Sequence, residues 1–126
     1  MTQEEKDALI RDLCARLPYG VKVKFEYVIT SPAKIIGINK FFIECEDVSA
    51  DIEDIKPYLF PLSSMTEEQK QELYNLMEES AFQIIHSEDG NPQPHIAMDW
   101  YNKNHFDYRG LIPMGLAEDA TGLNIY

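Results

Sequence analysis

A chain of 126 residues, 44% of them hydrophobic, has the length of one domain and enough apolar content to fill a core; this excludes a disordered segment and gives no ground for a split within 1–126. Twenty-two acids against eleven bases leave a net charge of −11, a field that repels phosphate backbones and argues against direct nucleic-acid binding. No apolar run reaches the ~20 residues a bilayer span needs, and the acidic start Met1-Thr2-Gln3-Glu4-Glu5 lacks a signal-peptide pattern, so a reducing cytoplasm without membrane association is the expected setting.

In chain order, Thr2 and Glu5 have capping-box spacing, and Leu9, Ile10, Leu13, Cys14 and Leu17 recur at helical intervals. They predict an amphipathic helix ended by Pro18 and Gly20. Val21 to Tyr27 alternates apolar and charged residues, the period of a half-buried strand. Thr30-Ser31-Pro32 marks a turn, Ala33 to Ile38 a second strand, Asn39-Lys40 a tight turn and Phe41 to Cys45 a third strand. A fourth is expected near Ile52 to Tyr58, so the sheet should be a small antiparallel meander of three to five strands that can curl into an SH3-like barrel. Lys56 to Leu62 carries two prolines and reads as a connector laying Leu59 and Leu62 on the core, or as an exposed docking strip. Thr66 with Gln69 opens a second helix along the stripe Leu73, Leu76, Met77, Ala81 and Ile84. Ser87 to Pro94 reads as a loop. Ile96 to Phe106 reads as a short helix with Ala97, Trp100 and Tyr101 inward, and Arg109 to Tyr126 as a short helix followed by an irregular strap. The class is α+β. Cys14 and Cys45 lie in apolar-periodic segments without a CxxC partner, and are expected as buried, reduced thiols.

The charge is concentrated: between 47 and 90 there are 11 acids and two bases. Such a segment suits a protein partner that is itself basic or nucleic-acid-binding. Glu67, Glu68, Glu72 and Glu79 are its candidate contacts, with Tyr58 and Phe60 as aromatic anchors. Simple solubility accounts for the same glutamates.

All three histidines lie between 86 and 105. His95 and Asp99 are one helical turn apart, and His105 and Asp107 follow; two imidazoles and two carboxylates are a donor set that can bind a divalent metal and activate water in a hydrolase. The structural alternative has His105 ending the helix and Asp107 capping the next turn. The spacing matches no zinc motif, and the chain carries no GxSxG, P-loop or GxGxxG signature, so no cofactor is expected and a non-enzymatic role is favoured.

Two stretches, Ile52 to Glu68 (IEDIKPYLFPLSSMTEE) and His105 to Ile112 (HFDYRGLI) followed by Gly115-Leu116-Ala117, carry a family resemblance. The chain resembles a family of small proteins from prophages and related mobile elements of gut anaerobes, to which no activity is assigned. It differs from the usual pattern at Phe60, where the family has arginine, and at Pro113-Met114, where it has a charged pair. The resemblance implies a bacterial intracellular setting and a phage-related gene, and no catalytic residue. From the residues themselves, Asp107 is expected to pair with Arg109, Gly110 to let the turn approach the sheet closely, and Leu111, Ile112 and Leu116 to be buried.

Overall fold

Helix α1 (Gln3–Arg16) starts at Thr2, whose hydroxyl accepts the Glu5 amide at 3.1 Å while the Glu5 carboxylate accepts the Thr2 amide at 2.9 Å. The structure, a computed structural model, describes residues 1–26, 32–39, 42–46, 48–86 and 95–126, except the side chains of 80–86 and 95. The inward stripe of α1 is Leu9, Asp12, Leu13 and Arg16, a correction to the expected apolar face: Ile10 is 37% exposed and Cys14 is exposed. The core turns the helix so that an Asp–Arg pair joins Leu9 and Leu13, leaving Ile10 and Cys14 outside. A one-turn 3-10 helix, Leu17–Tyr19, and Gly20 in the left-handed region lead into the sheet.

Strands β1 (Lys22–Phe25), β2 (Ala33–Ile38) and β3 (Ile43–Cys45) form the expected antiparallel meander, which a short unexpected strand, β4 (Ser49–Ala50), extends before the expected one near Ile52 to Tyr58. After a 3-10 turn at Ile52–Asp54 the chain returns as β5 (Ile55–Pro61) and pairs antiparallel with β1, so the order is β4-β3-β2-β1-β5. Lys56 to Pro61 is therefore a strand rather than a connector. Ile55, Pro57 and Leu59 point inward with a period of two, and Pro57 is tolerated because its pair with Val23 is one that exchanges no hydrogen bond.

The sheet is mixed rather than antiparallel throughout. Beyond β5 the C-terminal region adds β6 (Phe106–Asp107) and β7 (Glu118–Asp119), both parallel to β5. These short pairings close an edge that would otherwise expose unpaired backbone groups: the Phe60 amide donates to the His105 carbonyl and the Ala120 amide to the Leu59 carbonyl, each at 2.8 Å.

Leu9 and Leu13 of α1 pack on Val21, Val23, Ile35, Ile55 and Leu59, and the C-terminal region closes this core with Leu111, Leu116 and Ala117. Ile112 is half-buried at its edge. A second cluster joins helix α2 (Glu67–His86) to helix α3 (His95–Lys103), through Leu73, Trp100 and Phe106 with Phe60, Met65 and Leu76 around them. The expected box at the start of α2 is present, with the Gln69 amide donating to Thr66 Oγ1 at 3.1 Å and the Thr66 amide to the Gln69 side chain at 2.9 Å. Met77, expected inward, is 52% exposed. The expectations for residues 27–31, 40–41 and 87–94, and for the side chains of Ala81 and Ile84, lie outside the described residues.

Candidate functional site

The His/Asp region and its surroundings hold most of the buried polar chemistry, and its centre is on α1. Arg16 and Asp12 have no exposed surface. Arg16 Nε donates to Asp12 Oδ2 at 2.9 Å, its Nη2 to the Phe106 carbonyl and its Nη1 to the Tyr101 carbonyl at 3.4 Å. Arg109 Nε stands 3.4 Å from Asp12 Oδ1, an ion-pair distance without hydrogen-bond alignment. The expected Asp107–Arg109 pair is thus replaced by Arg109 with Asp12. Both guanidiniums face the ring of Tyr108, at 5.5 and 5.1 Å, and Tyr101 stacks on that ring at 5.6 Å. Burial pushes the Asp12 carboxyl upward, against the pull of Arg16 and Arg109.

The four residues of the candidate metal set have separate surroundings. His95 opens α3 and its side chain lies outside the described residues; Asp99 is exposed. Asp107 is buried, and its two oxygens accept the Leu111 and Ile112 amides at 2.8 Å each, the capping role the sequence allowed. Gly110 sits within that turn at φ +76° with no atom within 4 Å of where a Cβ would stand. It supplies a left-handed backbone rather than a close approach. Among the described residues no group of three or more His, Cys, Asp or Glu side chains is placed to hold a metal ion.

His105 ends α3 at φ +61°, with its ring stacked 3.7 Å from that of Tyr126 and nearly parallel to it. Burial, with the charges of Arg16 and Lys22, lowers its pKa from 6.5 to about 4. Nδ1 is buried without a hydrogen-bond partner. Between those two pKa values the unfolded chain binds a proton that the fold refuses. The stability this imidazole contributes is therefore complete above pH 6.5 and is lost as pH falls toward 4. The expected loss is about 2–3 kcal/mol. His105→Asn, which tolerates the positive φ, should flatten the difference between urea unfolding near pH 7 and near pH 4. A variant as acid-sensitive as the parent would show that the proton goes elsewhere.

Tyr126 completes this region in a way the sequence does not announce. In the register of β1 and β5, Lys22 lies across from Tyr58, one step beyond the Val23–Pro57 pair. There the Tyr126 hydroxyl enters the ladder: it accepts the Lys22 amide at 2.9 Å and donates to the Tyr58 carbonyl at 2.8 Å. Burial pushes that hydroxyl's pKa up to about 12.

Of the expected partner contacts, Tyr58 is half-buried on β5, and Phe60 is half-buried between Phe106 and Tyr126 at centroid distances of 6.1 and 6.0 Å. Glu72 accepts the Trp100 indole N–H at 3.0 Å and so ties α2 to α3. Glu67, Glu68 and Glu79 are exposed on α2, with Lys70 3.2 Å from Glu67. The sequence reading missed Tyr74 and Met77, which are 58% and 52% exposed on the same helix. Tyr74 is in row with Glu67 and Glu78, and a hydrogen bond to Glu78 raises its hydroxyl pKa. The signal was present at one-turn spacing, but Met77 also fits the inward stripe.

A cleft of about 370 Å³ lies elsewhere, between the start of α1 and the β2–β3 and β4–β5 connections. Ile10, Phe42 and Ile52 line it, and the Lys6–Glu53 ion pair, 2.9 Å long, is part of its lining. None of the candidate partner contacts or metal ligands named from the sequence lines it. Among the described residues no helix is long and apolar enough to cross a membrane. Comparisons with protein-family models, with curated proteins and with solved structures return no match.

Proposed function

We propose that this protein is a non-enzymatic acidic interaction protein that presents the outer face of α2 to a basic protein partner, such as one that otherwise holds nucleic acid. One observation carries the reading: a large aromatic and a thioether side chain, Tyr74 and Met77, stand more than half exposed on α2, with Glu67 and Glu78 in the row of Tyr74. A helix that only solvated the domain would have no use for them, whereas an interface takes its affinity from such anchors and its orientation from the charges around them. The setting that goes with this reading is a bacterial cytoplasm, in keeping with two free thiols and the resemblance to phage-associated proteins.

The test is capture from a nuclease-treated bacterial lysate by the parent chain and by Tyr74→Ser/Met77→Ser, whose side chains contribute little to the core. A basic protein retained by the parent, released at high salt and at least ~10-fold depleted with the variant supports the reading. Equal capture by both would move the binding face off α2.

A further inference from the structure

The outer face of the sheet gathers lysines in an otherwise acidic chain, with Glu26, Glu44 and Glu118 beside them. In the β-ladders Lys22 stands directly across from Lys34, and Lys24 directly across from Lys56. Opposed residues of an antiparallel pair point to the same side, and Lys22 and Lys24 are two residues apart, so all four ammonium groups share one face. Four of the eleven basic residues of a −11 chain are gathered there. Like charges directly opposed across strands destabilise a sheet. Partners offset this for three of them: Glu118 is 3.4 Å from Lys24, Glu26 is 3.1 Å from Lys56, and Lys22 donates to the Ile125 carbonyl beside the Tyr126 ring. Lys34 is exposed and makes no ion pair among the described residues. Ile36, the next outward residue of β2, is 56% exposed. Burial of the inner face leaves these two side chains without a structural task, and their position adds an unpaired cation to an exposed apolar group.

We infer that this lysine-bearing face receives α2 of a second copy of the chain, so that copies join head to tail. The inference rests on the reading of α2 as a binding face given above, and replaces the basic protein as its occupant with the lysine cluster of a second copy. The two surfaces match in both respects that decide docking: Glu67 and Glu78 face Lys34 and Lys22, the two lysines of this face without a carboxylate partner among the described residues, and Tyr74 meets Ile36. The net charge opposes approach at long range, but at physiological salt the Debye length is ~8 Å and the opposing field is screened outside the contact. Because the two patches differ, the contact is heterologous and does not close on itself; the product is an open series of copies rather than a fixed dimer.

Sedimentation of the full chain from micromolar to millimolar concentration tests this with two altered forms, each checked for an unchanged circular dichroism spectrum. Lys34→Ser/Ile36→Ser removes the receiving face, and Glu67→Lys/Glu78→Lys removes the inserted one. The parent's mean mass should rise with concentration, each variant alone should associate at least ~10-fold more weakly, and the two variants mixed should stop at one heterodimer, since each retains the half the other lacks. A parent that stays monomeric, variants that associate like the parent, or a mixture that stays monomeric overturns the inference. Monomeric behaviour together with lysate capture that depends on Tyr74 and Met77 would remove the second copy as the partner and leave the role of α2 standing. Loss of both would remove the reading itself.

Discussion

Replacing Arg16 with methionine is expected to lower stability by about 3–5 kcal/mol, the cost of leaving a buried charge without its partner. The guanidinium has no exposed surface, neutralises Asp12 and satisfies the carbonyls of Tyr101 and Phe106. Methionine fills much of the volume but leaves the carboxylate with Arg109 alone, at 3.4 Å, and two carbonyls without a donor. In a thermal melt this corresponds to a drop of roughly 10–20 °C for a domain of this size. The double variant Asp12→Asn/Arg16→Met removes the stranded charge and should recover part of the loss; non-additivity of that kind is the signature of a coupled buried pair. A single variant costing under ~1 kcal/mol would mean that water, not Arg16, solvates Asp12.

Asp107→Ala comes next in size. Two backbone amides, those of Leu111 and Ile112, donate to one buried carboxylate, and alanine leaves both without an acceptor, the first fully buried and the second partly so. An unsatisfied buried donor costs about 1–3 kcal/mol, so the pair should cost about 2–4 kcal/mol in urea denaturation at neutral pH. Asp107→Asn keeps one acceptor oxygen and should cost about half as much. If alanine were nearly silent, the 107–112 turn would be held by Leu111 and its neighbours and not by its cap. The outcome also bears on the His/Asp set, because a carboxylate engaged by two amides has little left to offer a metal.

Much of the N-terminal half was legible. The two capping boxes follow from side-chain chemistry three residues apart, and Ala33 to Ile38 has the composition of the strand it forms. The inward face of α1 was read one position off, because periodicity scores apolarity and cannot foresee that Asp12 and Arg16 take core positions. Their i,i+4 spacing within the Leu9–Leu13 stripe was the available clue. Strand β5 was read in its first half, Ile55 to Tyr58, while its prolines turned Leu59 to Pro61 into a connector, although Ile55, Pro57 and Leu59 alternate inward as a strand requires. Strands β6 and β7, two residues each, are too short to carry any period, and only tertiary pairing with β5 defines them. At the candidate site, the capping role of Asp107 was visible from its place before Gly110. The position of Tyr126 was not, since nothing local marks a side chain that completes a ladder between residues 104 and 68 positions earlier.

The bond from Arg16 to the Phe106 carbonyl joins residues 90 positions apart in the sequence. On a ribosome adding ~5–20 residues per second, that separation is roughly 5–20 s of synthesis. For that interval α1 stands without Tyr101, Phe106 or Arg109, and its Asp–Arg pair has no carbonyls to receive it; the first five strands are completed within it, at Pro61. The nascent half-domain can collapse around Leu9 and Leu13 only by leaving that pair in water, so its interior must stay open on one side until the last segment arrives. The buried pair therefore links the first helix to the last quarter of the chain, so its full set of bonds exists only once residue 109 has been made.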